Sequence, residues 1–299
     1  MLLPQKLGVL IIFFNPTMED VFNTKKNISY FEYGVIIWNS RKIFTVSNTN
    51  FSEIVLKTNL GQAEALNIGF TKAIDMGLDL ILTLDQDSKL IEKGERLKEI
   101  INLNYYQFLN PAGFSFLTIK NEKDYKKEYK NYSPISVLTT ITSGTIYLTS
   151  AWEKLKGFES RLFIEGVDTE YAIRAKKNKF NFYKFDYPIL IHDAGVEISK
   201  NFFCFNIKIR KHSDVRLYLQ YRNNIPIFIK NLNFFPKWSL KSIFNLFTKR
   251  SLISIIGSKN IFITLFWIFR GTFDGFLEIT FFNYKLKKQG QILKKHLKD

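Results

Sequence analysis

Residues 53–84 alternate between strand-like and helix-like patterns. Two short apolar runs, residues 53–56 and 78–84, flank residues 61–76, whose apolar side chains recur at the spacing of a helix. That helix is expected to end at Gly77, because glycine readily adopts the left-handed conformation that follows many helices. Strand–helix–strand alternation is typical of a parallel sheet covered by helices. We therefore predict an α/β fold with a mostly parallel sheet and helices on both faces.

Charge is distributed unevenly along the chain. Residues 200–299 hold 19 lysines and arginines against four acidic residues, whereas residues 1–199 hold 24 against 23. We therefore predict an α/β domain over residues 1–200 and a basic, aromatic-rich, helical appendage over residues 201–299.

The single cysteine excludes a disulfide scaffold and a cysteine-based zinc site. No run of about 18 consecutive apolar residues predicts a membrane span, so a cytoplasmic protein is expected.

The basic appendage carries an aromatic stripe at helical spacing. Gly271, Asp274 and Glu278 fall on the opposite side from the stripe, which consists of Phe262, Leu265, Phe266, Phe269, Phe273, Phe276 and Leu277. Basic residues beside aromatic ones suit an anionic lipid surface, where each lysine or arginine adds about 1 kcal/mol of attraction. An equally compatible interpretation is a helix that packs its stripe on the body of the protein. Nucleic acid is not expected as a partner, because no nucleic-acid-binding module is recognisable.

Two acidic residues directly follow an apolar strand. Residues 80–84 read Leu-Ile-Leu-Thr-Leu, and Asp85 and Asp87 come next. In extended backbone, residues two apart point to the same side, so both carboxylates would face one pocket. Ligands of open α/β sheets bind at the carboxyl ends of the strands. Carboxylate oxygens there suit Mg²⁺ or Mn²⁺, although the pattern alone also fits a solvated acidic turn.

Further motifs accompany these acids in a fixed order along the chain. They are Asn-Leu-Gly-Gln-Ala-Glu-Ala-Leu-Asn-Ile-Gly over residues 59–69, Gly-Phe-Glu-Ser-Arg-Leu-Phe-Ile-Glu-Gly-Val-Asp-Thr-Glu over residues 157–170, Ile-His-Asp-Ala-Gly over residues 191–195, and residues 216–223. Together, over about residues 7–230, they resemble inverting nucleotide-sugar glycosyltransferases of family two, which have the GT-A fold. The Leu-Asp-Gln-Asp-Ser form resembles the bacterial rhamnosyltransferase branch, which builds surface polysaccharides such as O-antigen.

The resemblance implies a role for each matching residue. Asp168 would be the general base that takes a proton from the acceptor hydroxyl, and Glu170 would help to place the acceptor. The residues implied for the metal site are Asp85, Asp87 and His192, and among them Asp87 is expected to bind the metal directly. The residues implied for donor binding are Asn15, Asn59, Gly61, Asn67, Asp85 and Arg174.

The chemistry of sugar transfer agrees with these residue types. A divalent cation neutralises the charge that develops on the leaving diphosphate, and a hydroxyl nucleophile needs a positioned base. A single inverting displacement requires no enzyme nucleophile, and no such motif is present. Paired carboxylates also occur in glycoside hydrolases, but that interpretation leaves the ordered motifs unexplained.

The second predicted strand departs from the family pattern. Residues 35–40 read Val-Ile-Ile-Trp-Asn-Ser, and Trp38 stands where the family usually has an aspartate that contacts the base. Either Trp38 stacks on the base, or it is buried and the base is held elsewhere.

The sequence therefore predicts a metal-dependent inverting glycosyltransferase. The expected reaction moves L-rhamnose from dTDP-rhamnose to a polyprenyl-diphosphate-linked oligosaccharide, with the enzyme peripheral on the inner face of the plasma membrane. One alternative is the same enzyme class with a UDP- or GDP-sugar donor. Another is a non-catalytic basic protein on the same fold that binds membranes or polyanions.

Overall fold

The computed structural model describes residues 6–42, 44–45, 49–120, 133–191, 197–202, 205–210 and 213–280. The chain divides into two units, the first made of Met1–Phe163 and Val167–Asp193 and the second of Ile164–Gly166 and Ala194–Asp299. The sequence prediction placed the boundary at residue 200.

The first unit is built around one mixed sheet. Its described strands are β1 (Leu7–Phe13), β2 (Tyr33–Trp38), β3 (Phe51–Val55), β4 (Leu80–Asp85), β5 (Lys89–Leu90), β6 (Pro111–Ile119), β7 (Ile135–Val137), β8 (Thr145–Leu148) and β9 (Asn181–Ile191). Its described helices are α1 (Met18–Ile28), α2 (Gln62–Asp75), α3 (Gly94–Leu103), α4 (Thr149–Lys154) and α5 (Val167–Lys177).

The strand order is β3-β2-β1-β4-β8-β6-β9-β5, and β7 pairs with β9. Neighbouring strands are parallel from β3 to β4, as the strand–helix–strand pattern predicts. β8 then enters antiparallel to both β4 and β6. β6 and β9 also pair parallel, and the predicted α/β class is confirmed.

Alternating side chains of β1 pack against helices on opposite faces of the sheet. Leu10 contacts α2 at Gly69, where an added Cβ would lie 2.5 Å from a Leu10 methyl group. Val9 and Ile11 belong instead to the core cluster that contains Leu97 of α3. Helices therefore cover both faces of this part of the sheet.

The described residues of the second unit form a two-stranded sheet and four α-helices, with a π-helical segment, Leu246–Arg250, between the second and third helices. The strands β10 (Glu197–Phe202) and β11 (Phe205–Arg210) pair antiparallel, and the helices are α6 (Asp214–Lys230), α7 (Pro236–Asn245), α8 (Ser251–Gly257) and α9 (Ile261–Thr280). Within the described ranges, none of the helices is both long and apolar enough to cross a membrane.

Two glycines allow α9 to pack closely on α6. An added Cβ at Gly271 would lie 2.5 Å from the backbone oxygen of Tyr218, and one at Gly275 would lie 3.0 Å from that of Arg222. The carbonyl of Arg222 cannot accept the usual helical hydrogen bond, because the residue four positions later is Pro226, which has no N–H. The two helix backbones therefore approach each other closely at Gly271 and Gly275.

Gly271→Ala is expected to destabilise the second unit, because the methyl group would meet backbone atoms that cannot move aside. Overpacking of this kind costs about 1–3 kcal/mol of unfolding free energy. Urea denaturation followed by tryptophan fluorescence measures it, since Trp267 of α9 packs against Tyr218 of α6. Phe269→Ala removes an exposed ring from the same helix and is the matched control; an equal loss in both variants would contradict this packing.

Candidate active site

Side-chain hydrogen bonds join the carboxyl ends of β1, β2 and β4. The backbone N–H of Phe14 donates to Gln86 Oε1 at 2.8 Å, and that of Asn15 donates to Ser40 Oγ at 2.9 Å. Asn15 has a φ of 46°, a left-handed conformation that asparagine tolerates better than most residues. Asn15, predicted to bind the donor, therefore lies at the same sheet edge as Asp85, the last residue of β4.

A turn held by Ser143 carries the two acidic residues. The N–H of Asp85 donates to Ser143 Oγ at 3.1 Å, that of Ser88 donates to the Asp85 carbonyl at 3.1 Å, and the hydroxyls of Ser88 and Ser143 are 2.8 Å apart. Asp85 is half-buried and Asp87 is exposed. Because the chain turns after Asp85, the strand-alternation argument that placed both carboxylates on one side does not extend to Asp87. Sequence reasoning assigned no role to Ser143; its only signal was the Ser-Gly pair between two apolar runs.

The predicted donor-side motif connects the end of β2 to the start of α2. Asn59 Oδ1 accepts hydrogen bonds from Asn39 Nδ2 at 3.0 Å and from the N–H of Gly61 at 2.9 Å. Gly61 has a φ of +83°, and an added Cβ would lie 2.6 Å from the carbonyl oxygen of Phe163. Only glycine fits both conditions, and the N–H of Ala63 donates to the same oxygen at 3.1 Å.

Asn67 attaches α2 to the segment that precedes α5. Its Nδ2 donates to the carbonyl of Phe158 at 2.9 Å and to Ser160 Oγ at 3.0 Å, while its Oδ1 accepts from the N–H of Phe158 at 2.8 Å. Ser160 also donates to Glu64 of α2. The structure thus brings residues 59–67 and 157–163, two motifs of the resemblance, into direct contact, and it uses the Asn67 amide for that contact.

The predicted base, Asp168, lies in the first turn of α5. Its Oδ1 accepts from the N–H of Thr169 at 2.6 Å and from Thr169 Oγ1 at 3.3 Å, and its side chain is half-buried. The positive end of the helix dipole favours an ionised carboxylate at this position. Asp168 is therefore partly accessible, and its carboxylate is fixed by hydrogen bonds at the start of α5.

Tyr147 of β8 links β4 to α5, since it pairs with Ile81 of β4 and its ring centroid lies 5.7 Å from that of Tyr171 of α5. Tyr147 of β8 is fully buried inside an aromatic cluster, and its hydroxyl has no hydrogen-bond partner. Burial raises the pKa of Tyr147 well above its usual value, and the negative charges of Asp168 and Asp85 raise it further. β4 and α5 are therefore linked through Tyr147 in the first unit, which sequence spacing could not show.

Arg174, predicted to bind the donor, makes its hydrogen bonds to the protein itself. Its Nε and Nη2 donate to the two carboxylate oxygens of Glu170 at 2.7 and 2.8 Å, Nη2 also donates to the Gly157 carbonyl at 2.7 Å, and Nη1 donates to the Leu155 carbonyl. Burial alone would lower the pKa of this guanidinium, but the contacts with Glu170 outweigh burial and raise it. Arg174 thus fixes Glu170 and the loop after α4 to α5.

Arg174→Ala is expected to lower the unfolding free energy by about 2–4 kcal/mol, because two carbonyls and a carboxylate lose their donor. Arg174→Lys should give a smaller loss, since an ammonium cannot form the two-pronged pair. Urea denaturation and dTDP titration measure both variants. If Arg174 contacts the donor instead, Arg174→Lys will weaken dTDP binding at least tenfold with the unfolding free energy unchanged.

Trp38 is buried and does not offer a face to a nucleotide base. Its ring stacks on Phe13 with centroids 4.5 Å apart, and its Nε1 donates to Glu53 Oε2 at 3.0 Å. Lys42 forms an ion pair with the same carboxylate at 3.0 Å. Of the two outcomes left open by the sequence, the structure shows the buried one.

Two carboxylates at the end of β4 fit a magnesium or manganese ion that a diphosphate helps to bind. No group of three or more histidine, cysteine, aspartate or glutamate side chains that could hold a metal occurs among the described residues, and His192 lies outside them. Mg²⁺ is commonly bound by one or two carboxylates, with substrate phosphates and water completing its shell. Asp85 and Asp87 are the residues predicted to provide those carboxylates.

In the second unit, residues 164–166 pack on α6. Arg216 donates to the carboxylate of Glu165, and Asn223 Nδ2 donates to the Glu165 carbonyl at 2.7 Å. Both residues come from the 216–223 motif, so this motif serves to hold the residues that directly precede α5 in the sequence.

Comparisons with known proteins agree on the fold. No family model matches the chain. A curated protein of Shigella flexneri, dTDP-rhamnosyl transferase RfbF, is 25% identical over 252 residues, which are 74% of this chain and 79% of that protein. The crystal structure of S. aureus TarS 1-349 matches with a TM-score of 0.57 at 13% identity. The match covers 92% of this chain and 81% of that chain.

A second solved structure shows the same architecture. The mannosyltransferase PcManGT from Pyrobaculum calidifontis, in complex with GDP-Man and Mn²⁺, has a TM-score of 0.55 at 10% identity, with 93% of this chain and 88% of that chain covered. These findings confirm the fold and the resemblance that the motifs predicted.

Proposed function

We propose that this chain, a glycosyltransferase of the GT-A fold, is a metal-dependent inverting enzyme that transfers L-rhamnose from dTDP-rhamnose to a lipid-linked oligosaccharide. The observation that supports the reaction is the direct contact between residues 59–67 and residues 157–163, which holds the donor-side motif against the segment that precedes Asp168. The donor is inferred from the Shigella flexneri relative, whose name is dTDP-rhamnosyl transferase, and from the Leu-Asp-Gln-Asp-Ser form.

Different residues of the chain have different roles in the single displacement that transfers the sugar. Asp168 takes the proton of the acceptor hydroxyl while that oxygen attacks the anomeric carbon, and the bond to the diphosphate breaks on the opposite face. Asp85 and Asp87 would hold a divalent cation, which supplies positive charge against the leaving diphosphate. Glu170, fixed by Arg174, places the acceptor beside Asp168. The anomeric configuration is inverted because the displacement occurs once.

Asn15, Asn59, Gly61 and Asn67 contribute to donor binding chiefly by shaping the backbone around the site. The hydrogen bonds of Asn59 and Asn67 go to protein atoms, and they hold the start of α2 against residues 158–163. The thymine is held by groups other than Trp38, whose ring is buried.

The acceptor of this proposal is a polyprenyl-diphosphate-linked oligosaccharide of an O-antigen-type pathway at the inner face of the plasma membrane. Support comes from the basic second part of the chain, since such an acceptor is anionic and apolar. The Lys and Arg residues suit its diphosphate, and the exposed aromatic side chains suit its lipid.

Transfer assays with purified enzyme and Mn²⁺ test the proposal. dTDP-L-rhamnose, UDP-GlcNAc and GDP-mannose are each incubated with lipid-linked oligosaccharides extracted from membranes, and labelled sugar in the lipid phase is counted. We expect transfer from dTDP-L-rhamnose, loss of transfer with EDTA, and a product anomer opposite to that of the donor. Transfer from UDP-GlcNAc alone would favour the second candidate, a UDP-sugar donor, since a UDP-GlcNAc complex of TarS 1-349 has the same fold.

A non-catalytic basic protein on this fold is the remaining candidate. It predicts nucleotide-independent binding to polyanions and no transfer from any donor. Asp168 and the acidic pair would then be dispensable.

A further inference from the structure

Helix α9 has its polar side buried and its aromatic side exposed. The side packed on α6 contains Gly271, Asp274 and Gly275, and Asp274 is only 6% exposed. Phe262 is 84% exposed and Phe269 68% exposed. Six exposed apolar residues of α9 form what is here called the phenylalanine face: Phe262, Leu265, Phe266, Phe269, Phe273 and Phe276. A helix that packs its apolar stripe on the body would show the opposite arrangement.

Contacts with α6 fix this rotation of α9. Asp274 Oδ2 accepts a hydrogen bond from the Tyr218 hydroxyl at 2.9 Å and another from Arg270 Nε at 3.0 Å. Arg222, 5% exposed, pairs with Glu278. Turning the phenylalanine face toward α6 would break these bonds and bring side chains to a place where Gly271 has no room for a methyl group. The exposed face is therefore a stable feature of the unit.

The helices α7–α9, which include the phenylalanine face, carry an excess of positive charge. In α7–α9 and their connections, residues 236–280, the only acidic residues are Asp274 and Glu278, and both are paired with arginines of the same unit. The basic residues of this stretch are all exposed: Lys237, Lys241, Lys249, Arg250, Lys259 and Arg270. The sequence after α9, residues 281–299, adds six lysines and one aspartate.

We propose that the phenylalanine face of α9 inserts into the surface of an anionic membrane, with the helix parallel to the plane of the bilayer. Aromatic rings would enter the boundary between headgroups and acyl chains, while the basic residues contact lipid phosphates. A second copy of the chain fits this surface less well, because it would place positive charge against positive charge. The inference goes beyond the proposed reaction, and it holds for any sugar donor.

Vesicle co-sedimentation with the full chain tests the inference. The variant carries Phe262→Ser, Phe266→Ser and Phe269→Ser, and the vesicles contain phosphatidylcholine with or without 30% phosphatidylglycerol. We expect the wild type to bind the anionic vesicles, the variant to bind them at least tenfold more weakly, and 0.5 M salt to weaken the wild type. Because the three rings are exposed, the melting temperature should stay unchanged.

A matched control removes three exposed apolar side chains of the first unit, through Met18→Ser, Phe22→Ser and Leu103→Ser. This control should bind vesicles like the wild type. Equal binding by the phenylalanine variant and the wild type would overturn the inference. The inference would also be overturned if light scattering detected a wild-type dimer that only the phenylalanine variant loses, with vesicle binding unchanged. Donor hydrolysis by the variant in the absence of lipid reports separately on the proposed reaction.

Discussion

Replacing Asp168 with asparagine is expected to lower kcat at least about 100-fold, because a positioned base contributes about 10²–10⁴-fold to such a proton transfer. An asparagine Oδ1 can still accept the hydrogen bonds from Thr169, so the start of α5 should keep its structure. Donor affinity and melting temperature should therefore change little. Initial rates of rhamnosyl transfer, together with dTDP titration, measure the effect.

The matched control for this variant is Asp186→Asn, which makes the same substitution at an exposed position of β9. It should leave kcat unchanged. A kcat for Asp168→Asn within threefold of the wild type would exclude Asp168 as the base. A large drop in melting temperature would instead assign it a structural role.

Asp87→Ala is expected to abolish the stabilisation that dTDP gives in the presence of Mn²⁺. Asp87 is exposed, so the variant without ligand should melt like the wild type. For the wild type, dTDP at about 100 times its Kd should add about 2.7 kcal/mol of unfolding free energy. Differential scanning calorimetry with Mn²⁺ or EDTA measures the difference.

The control is Asp186→Ala, which makes the same substitution at the exposed Asp186 and should keep the full stabilisation by dTDP. If Asp87→Ala also keeps it, or if EDTA leaves the wild type equally stabilised, then the acidic pair does not hold a cation that the diphosphate needs.

The parallel part of the sheet could be predicted because its signal is local. Residues 53–84 show strand, helix and strand in turn, and each pattern depends only on which side of an element is apolar. The strand end at Asp85 follows from the same pattern. The antiparallel entry of β8 could not be predicted in this way, because strand direction depends on how the intervening chain returns to the sheet.

The roles of Asn67 and Arg174 could not be read from their motifs. Both match positions expected at the donor, yet Asn67 bonds to Phe158 and Ser160, and Arg174 bonds to Glu170 and to the carbonyls of residues 155 and 157. Such contacts decide whether a polar side chain faces a ligand or the protein. Trp38 illustrates the same limit, since only its stacking on Phe13 and its bond to Glu53 show it to be buried.

The orientation of α9 is the clearest example of packing overriding a sequence pattern. The aromatic stripe and its spacing were evident in the sequence, but they fit a buried and an exposed face equally well. Contacts of Gly271 and Asp274 with α6 determine which face is exposed. The helix backbones approach closely at Gly271, and Asp274 accepts a buried hydrogen bond from Tyr218. Steric room and polar pairing therefore decide which side faces outward.

Calorimetric titration of the wild type with dTDP, UDP and GDP, each with Mn²⁺ and with EDTA, shows whether the chain binds a dTDP-sugar donor through a metal ion. A metal-dependent enzyme that uses a dTDP-sugar should bind dTDP with Mn²⁺ at least tenfold more tightly than UDP or GDP, and should lose most of that affinity in EDTA. Tighter binding of UDP would keep the transferase and reject dTDP-rhamnose as its donor. Failure of all three nucleotides to bind would contradict the account.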